Sequence, residues 1–195
     1  MQMNKQRNDD GSSQDTYESI KIRGNIAARV GDQSLEEYVG LHYSSDVKEC
    51  LDILDIGYHV TAVGVLGRAL EQCTKEYCES AIKNKKAFKL NDPNLSISSI
   101  RNKFWGIEGS QDDRLKLLNQ QTLIKKGGHK FQLKKKLLKN EYYFVLDSIK
   151  NARNNAFHGC SEEEFREIQS KSRVLIEWGL NILITLIGEI KKNRS

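Results

Sequence analysis

Arg153, Asn154 and His158 stand in the segment Arg153-Asn154-Asn155-Ala156-Phe157-His158, closed by Gly159. A guanidinium is permanently charged, and its planar fork fits phosphate oxygens. An imidazole that titrates near neutrality is the usual general acid or base. Five helical steps put the two side chains about 140° apart around a helix axis, so they converge on one helix only if it ends between them or at the histidine. Gly159 is the residue that would end it, in a left-handed turn. His158 would then occupy the last turn, where the helix dipole favours imidazolium. By spacing alone the same histidine also fits a capping or packing role. Asn154 and Asn155 fit hydrogen bonds to a phosphate, support of Arg153, or plain polar positions at a helix end.

The motif closes a basic run. From Lys125 to Arg153 there are nine cations and two acids, +7 in 29 residues, against +5 for the whole chain. One reading is a solvated loop and helix face. The other is a field that attracts polyanions whatever their sequence; on that reading Lys126, Lys130 and Lys150 contact substrate, together with Asn155.

The elements that must position these residues are helical. Residues 1–33 are polar and read as a flexible arm, with a short ordered piece around Ile20 to Val30. Ser34 with Glu37 forms a capping box that opens the helical domain assigned to residues 34–195. Val47 to Lys83 forms a second helical region, broken near Asp55 to Gly57. In it Val63, Leu66, Leu70, Cys73 and Tyr77 make one apolar stripe, and Gly64 and Gly67 allow another helix to come close. Residues 84–110 read as a long connection anchored by Phe104 and Trp105. Ser110 and Asp113 resemble a weaker capping box, and Leu115, Leu118 and Leu123 suggest a short helix ending before Gly127. A helix over Glu141 to Phe157 buries Phe144, Val145, Ile149 and Ala152. Ser161 with Glu164 then starts a long final helix with Val174, Ile176, Leu180, Leu183, Ile187 and Ile190 as its apolar positions. The expected fold is all-α, an antiparallel bundle of four to six helices.

The run "LDSIKNARNNAFHG", on a penultimate helix before a capped apolar last helix, resembles the HEPN superfamily, whose hallmark is Arg, four to six residues, then His, with a polar residue commonly after the Arg. Arg153, Asn154 and His158 fill that pattern. The earlier "YHVTAVGVLGRALEQ" is similar to the long second helix of several HEPN groups, with Arg68 and Glu71 at the matching positions. The resemblance covers roughly residues 40–190. It implies a metal-independent endoribonuclease without cofactor, working as a homodimer with a composite site. Arg153, His158 and Asn154 would be catalytic, a ribose 2′-OH would attack the adjoining phosphorus, and a 2′,3′-cyclic phosphate would be left. The setting it implies is a toxin–antitoxin or antiviral defence system, with an antitoxin or other regulatory protein as partner. Some such toxins carry Tyr two residues after the histidine; Cys160 stands there, so regulation through that Tyr is not expected. Glu71 either pairs with Arg153 across the bundle, and so belongs with the substrate-contacting set, or is a surface acid paired with Arg68 or Lys75; the surface pairing is the simpler reading.

Composition narrows the classes. The 195 residues include 31 Lys plus Arg, 26 Asp plus Glu, 38% hydrophobic residues and one proline. That is too apolar for a chain disordered throughout and too poor in turn residues for a β-sandwich. Cys50, Cys73, Cys78 and Cys160 form no CxxC pair, which argues against a disulfide scaffold or a zinc site. No apolar leader opens the sequence, and Val174 to Ile187 is too short and too interrupted to span a bilayer. The expected location is cytoplasmic, away from membranes. The alternative function is a non-catalytic HEPN-like module that binds RNA, a nucleotide or a protein.

Overall fold

The computed structural model describes residues 10–92, 94–106, 109–125 and 128–195. Among them the chain forms α1 (Asp10–Val30), α2 (Leu35–Val39), α3 (Leu41–Asp55), α4 (His59–Ala81), β1 (Phe88–Leu90), α5 (Ile97–Phe104), α6 (Gln111–Leu118), β2 (Leu123–Lys125), β3 (His129–Leu133), α7 (Asn140–His158) and α8 (Glu162–Arg194). The fold is an all-α bundle with one small sheet. Among the described residues its eight α-helices exceed the expected four to six because α5 lies in the stretch read as a connection and α1 in the stretch read as an arm.

Helix starts follow the caps. Ser34 accepts from the Glu37 amide and Glu37 returns the bond, and Ser161 and Glu164 repeat the arrangement at the head of α8. Ser110 accepts from the Asp113 amide at the head of α6. Each satisfies amides that have no intrahelical acceptor. The expected break between α3 and α4 falls at Gly57, whose φ of 84° suits a residue without Cβ.

Helix α4 is the central element, packed against α8, α7 and α3. Its Val63, Leu66, Ala69, Leu70 and Cys73 are fully buried with Ile176, Leu180 and Leu183 of α8 and Leu146 and Ile149 of α7. Burial pushes the thiols of Cys50 and Cys78 up to about 12, so both are neutral apolar groups.

Several expectations need correction. In the polar arm, expected to be ordered only around Ile20 to Val30, α1 runs from Asp10 to Val30. Its Ile22, Ile26 and Val30 are buried, Arg23 pairs with Asp52 and Asp55 of α3 at 3.1 and 3.0 Å, and Arg29 reaches the Asn181 carbonyl of α8. Leu123 belongs to a strand rather than a helix: α6 ends at Leu118, Gln120 takes φ 65°, and β3 pairs antiparallel with both β1 and β2. The sheet closes over Phe104, which meets Phe131 edge to face at 5.1 Å, so Phe104 and Trp105 are buried anchors. Phe144 and Val174 lie outside the core, 65% and 61% exposed; α7 turns Leu146 inward instead.

Candidate functional site

The approach of α7 to α4 sets the site. A Cβ on Gly67 would stand 3.0–3.2 Å from Cβ, Cδ and Cγ of Arg153, and one on Gly64 would stand 3.3 Å from the Phe157 ring. A Cβ at either position would force α7 to give by a few tenths of an ångström, so these glycines let it lie this close, which brings Arg153 over the outer edge of α4.

There Arg153 ion-pairs through Nη1 with Glu71, and its Nη2 donates to Asn154 Oδ1 at 3.3 Å. The other Glu71 oxygen accepts from Arg114 Nη2 at 3.3 Å. Arg114, on α6, is buried; its Nη1 donates to the carbonyls of Phe104 and Gly109, both at 3.1 Å. Burial pushes its pKa below the usual guanidinium value, against the pull of neighbouring acids that include Glu71. One carboxylate is thus shared by two guanidiniums. The surface pairing read for Glu71 is corrected: Arg68 binds Asp46 at 2.6 Å and Glu49 at 2.8 Å, and Lys75 has no acidic partner among the described residues. As a substrate contact, Glu71 is already committed to the two arginines.

His158 is the last residue of α7, exposed and without a side-chain hydrogen bond among the described residues. The helix continues through it, and Gly159 follows at φ 84°, ψ 148°, a positive φ with an extended rather than left-handed helical ψ. Arg153 and His158 therefore remain about 140° apart around α7. Asn154 lies one turn before His158 on the same side and touches Arg153, so it stands between the two.

The other residues assigned to substrate scatter. Asn155 lines a separate groove between α7 and α8, with Ser148, Asn151, Glu164 and Lys171, and is not brought to Arg153. Lys150 is half-buried and pairs with Asp112 at 2.9 Å and Asp147 at 2.6 Å. Burial opposes its charge, but those two partners outweigh it and hold its pKa above the usual value. It ties α7 to α6. Lys130 lies exposed on β3, and Lys126 is outside the described residues. Lys125, which opens the basic run, pairs with Asp113. The run is therefore not one uniform patch, because acids of α6 neutralise two of its members.

Sequence reasoning missed Arg114. No spacing links it to Glu71, 43 residues earlier; the only local signal was the cap at Ser110, which places Arg114 one turn into a helix. Among the described residues no group of three or more His, Cys, Asp and Glu side chains stands where it could hold a metal ion, and no helix is long and apolar enough to cross a membrane. No protein-family model, curated protein or solved structure matches the chain.

Proposed function

We propose that the chain is a metal-independent, HEPN-type endoribonuclease that cuts single-stranded RNA as a homodimer. The observation that carries this reading is the pairing of a held guanidinium with a free imidazole at one end of α7. Arg153 is fixed by Glu71 and Asn154, while His158 is exposed about 140° away. One chain offers one motif imidazole and does not turn it toward its own guanidinium. A two-fold axis beside the end of α7 supplies a second set, and closed two-fold dimers are the commonest oligomer.

In this reaction one imidazole removes the proton from a ribose 2′-OH, and the freed oxygen attacks the neighbouring phosphorus. The bond from phosphorus to the 5′-oxygen breaks, and the second imidazole, as imidazolium, gives that oxygen a proton. The products are a 2′,3′-cyclic phosphate and a 5′-hydroxyl. Arg153 neutralises the charge that builds on the phosphorane oxygens, with Asn154 orienting its fork. Deoxyribose lacks the attacking hydroxyl, so DNA is not cut. The biological setting that suits such an activity is a cytoplasmic toxin or antiviral defence system held in check by a protein partner.

The test is a gel of single-stranded RNA incubated with purified protein in EDTA. Wild type yields fragments ending in cyclic phosphate. His158→Ala yields none and keeps its thermal midpoint. Cleavage that stops on chelation, or that persists in His158→Ala, rejects the mechanism. The second reading, a binding module without catalysis, is favoured by the ion pair that already occupies Arg153. Salt-dependent RNA binding with no product from wild type would establish it.

A further inference from the structure

Three open hollows join end to end along the outer edge of α4. The first, about 380 Å³, is bordered by Arg68, Glu71 and Lys75; it shares Gly106 with a second, about 470 Å³, bordered by Arg101 and Glu79. Glu79 in turn borders a third, about 350 Å³, where Lys83 and Arg194 stand. Arg68, Glu71, Lys75 and Glu79 step by three and four, so they form one stripe of α4. The furrow begins at Arg68, passes the carboxylate that holds Arg153 and follows α4 to its end at Ala81, about 20 Å on at the helical rise.

Its cations differ in what they already hold. Arg68 and Arg194 are held by acids, the latter by Glu76 at 3.2 Å. Lys75 and Arg101 have no side-chain partner among the described residues, and Lys83 donates to the Asn193 carbonyl at 2.6 Å. Among the described residues, one unpaired acid, Glu79, stands against these three. Lys125 and Lys150 of the basic run, by contrast, are spent on acids of their own.

We infer that this furrow is a track for the backbone of single-stranded RNA entering or leaving the Arg153 site, with Lys75, Arg101 and Lys83 as its phosphate ligands. The inference rests on the ribonuclease reading for its substrate. A length of about 20 Å suits roughly four nucleotides, the short end of the range for single-strand grooves. Trp105 on its wall is 6% exposed and offers no stacking face, which leaves the exposed His42 ring at the first hollow as the stacking group beside the phosphate ligands.

The test uses full-length protein carrying His158→Ala and a labelled 12-nucleotide RNA of mixed sequence, with binding followed by anisotropy over a range of KCl. The variant Lys75→Ala/Lys83→Ala/Arg101→Ala is compared with Lys48→Ala/Lys171→Ala/Lys192→Ala, which removes the same charge elsewhere. The furrow variant should bind tenfold or more weakly, and its log–log salt dependence should be shallower by about 2, at ~0.7 per phosphate contact on a single strand. The control variant should stay within about twofold of its parent, because exposed charges away from the strand are screened. Equal losses in both variants, an unchanged slope in the furrow variant, or no RNA binding by the parent overturns the track. Cleavage in EDTA, scored separately with His158 intact, keeps the two ideas apart. Cutting with an unchanged slope removes the track alone, and a shifted slope without cutting removes the ribonuclease reading alone.

Discussion

Glu71 is where the residue scale is decided. It lies between a buried guanidinium on α6 and a half-buried one on α7, so removing its charge leaves two cations facing each other. Losing one partner of a fully buried pair costs about 3–5 kcal/mol. Glu71 is 37% exposed, so water screens part of that loss and about 1–2 kcal/mol is the appropriate scale. Glu71→Gln should therefore lower the melting midpoint by roughly 2–8 °C at ~2–4 °C per kcal/mol for a chain of this size. It should also cut kcat about tenfold or more with KM little changed, since Arg153 loses its aim rather than its charge. Calorimetry and steady-state cleavage measure the two effects. A normal kcat in a destabilised protein would reduce Glu71 to a packing role. In the sequence, Arg153, Asn154 and His158 were legible because their spacing is local. The Arg153–Glu71 pair was not: α4 offers Glu71 the neighbours Arg68 and Lys75 within one turn, and its true partners are 43 and 82 residues away.

At the scale of elements, the two glycines of α4 decide how α7 sits. Gly67 has Arg153 side-chain carbons within 3.2 Å of where a Cβ would stand, and the nearest is Arg153 Cβ, which cannot swing away without moving the backbone of α7. Gly67→Ala gains up to about 1 kcal/mol of helix propensity. Overpacking costs roughly 1–3 kcal/mol. The expected net is a loss of about 0–2 kcal/mol in denaturant unfolding, with cleavage reduced much more than stability because Arg153 is displaced; a stabilised and fully active Gly67→Ala protein would show that the contact does not position the site. Caps made the starts of α2, α6 and α8 legible, since Ser34, Ser110 and Ser161 act within their own first turn. The sheet was not legible, because three-residue strands are too short to display alternation and Leu115, Leu118 and Leu123 mimic helical spacing across the turn at Gln120. Helix α1 was only partly legible: Ile22, Ile26 and Val30 carry a sparse stripe, and what covers it is supplied by α3 and α8.

For the whole molecule, the outward face of α7 matters most. Phe144, Asn151, Asn154 and His158 fall within about 80° around the helix, opposite Leu146 and Ile149, which point into the core. Phe144 leaves a large apolar ring in water near the start of this stripe, and His158 ends it. The stripe leads from an apolar contact to the imidazole, which suits packing against a second copy whose own His158 then lies across the shared site. A stable dimer needs about 800 Å² from each partner, so α7 would be joined by neighbouring surface of α8, where Phe165 is 46% exposed. Phe144→Glu touches neither Arg153 nor the core, and a surface change of this kind should move folding stability by no more than about 0.5 kcal/mol. In the dimer it buries a charge without a partner on both sides of the two-fold axis. The variant should therefore elute as a monomer where wild type elutes as a dimer, and should lose cleavage in step with the dimer fraction. Mixing it with excess His158→Ala protein should not restore cutting, because neither chain then brings both a competent face and a competent imidazole. A monomeric wild type that cuts RNA, or a Phe144→Glu dimer with full activity, would place the partner's imidazole outside the reaction and leave His158 to act within one chain.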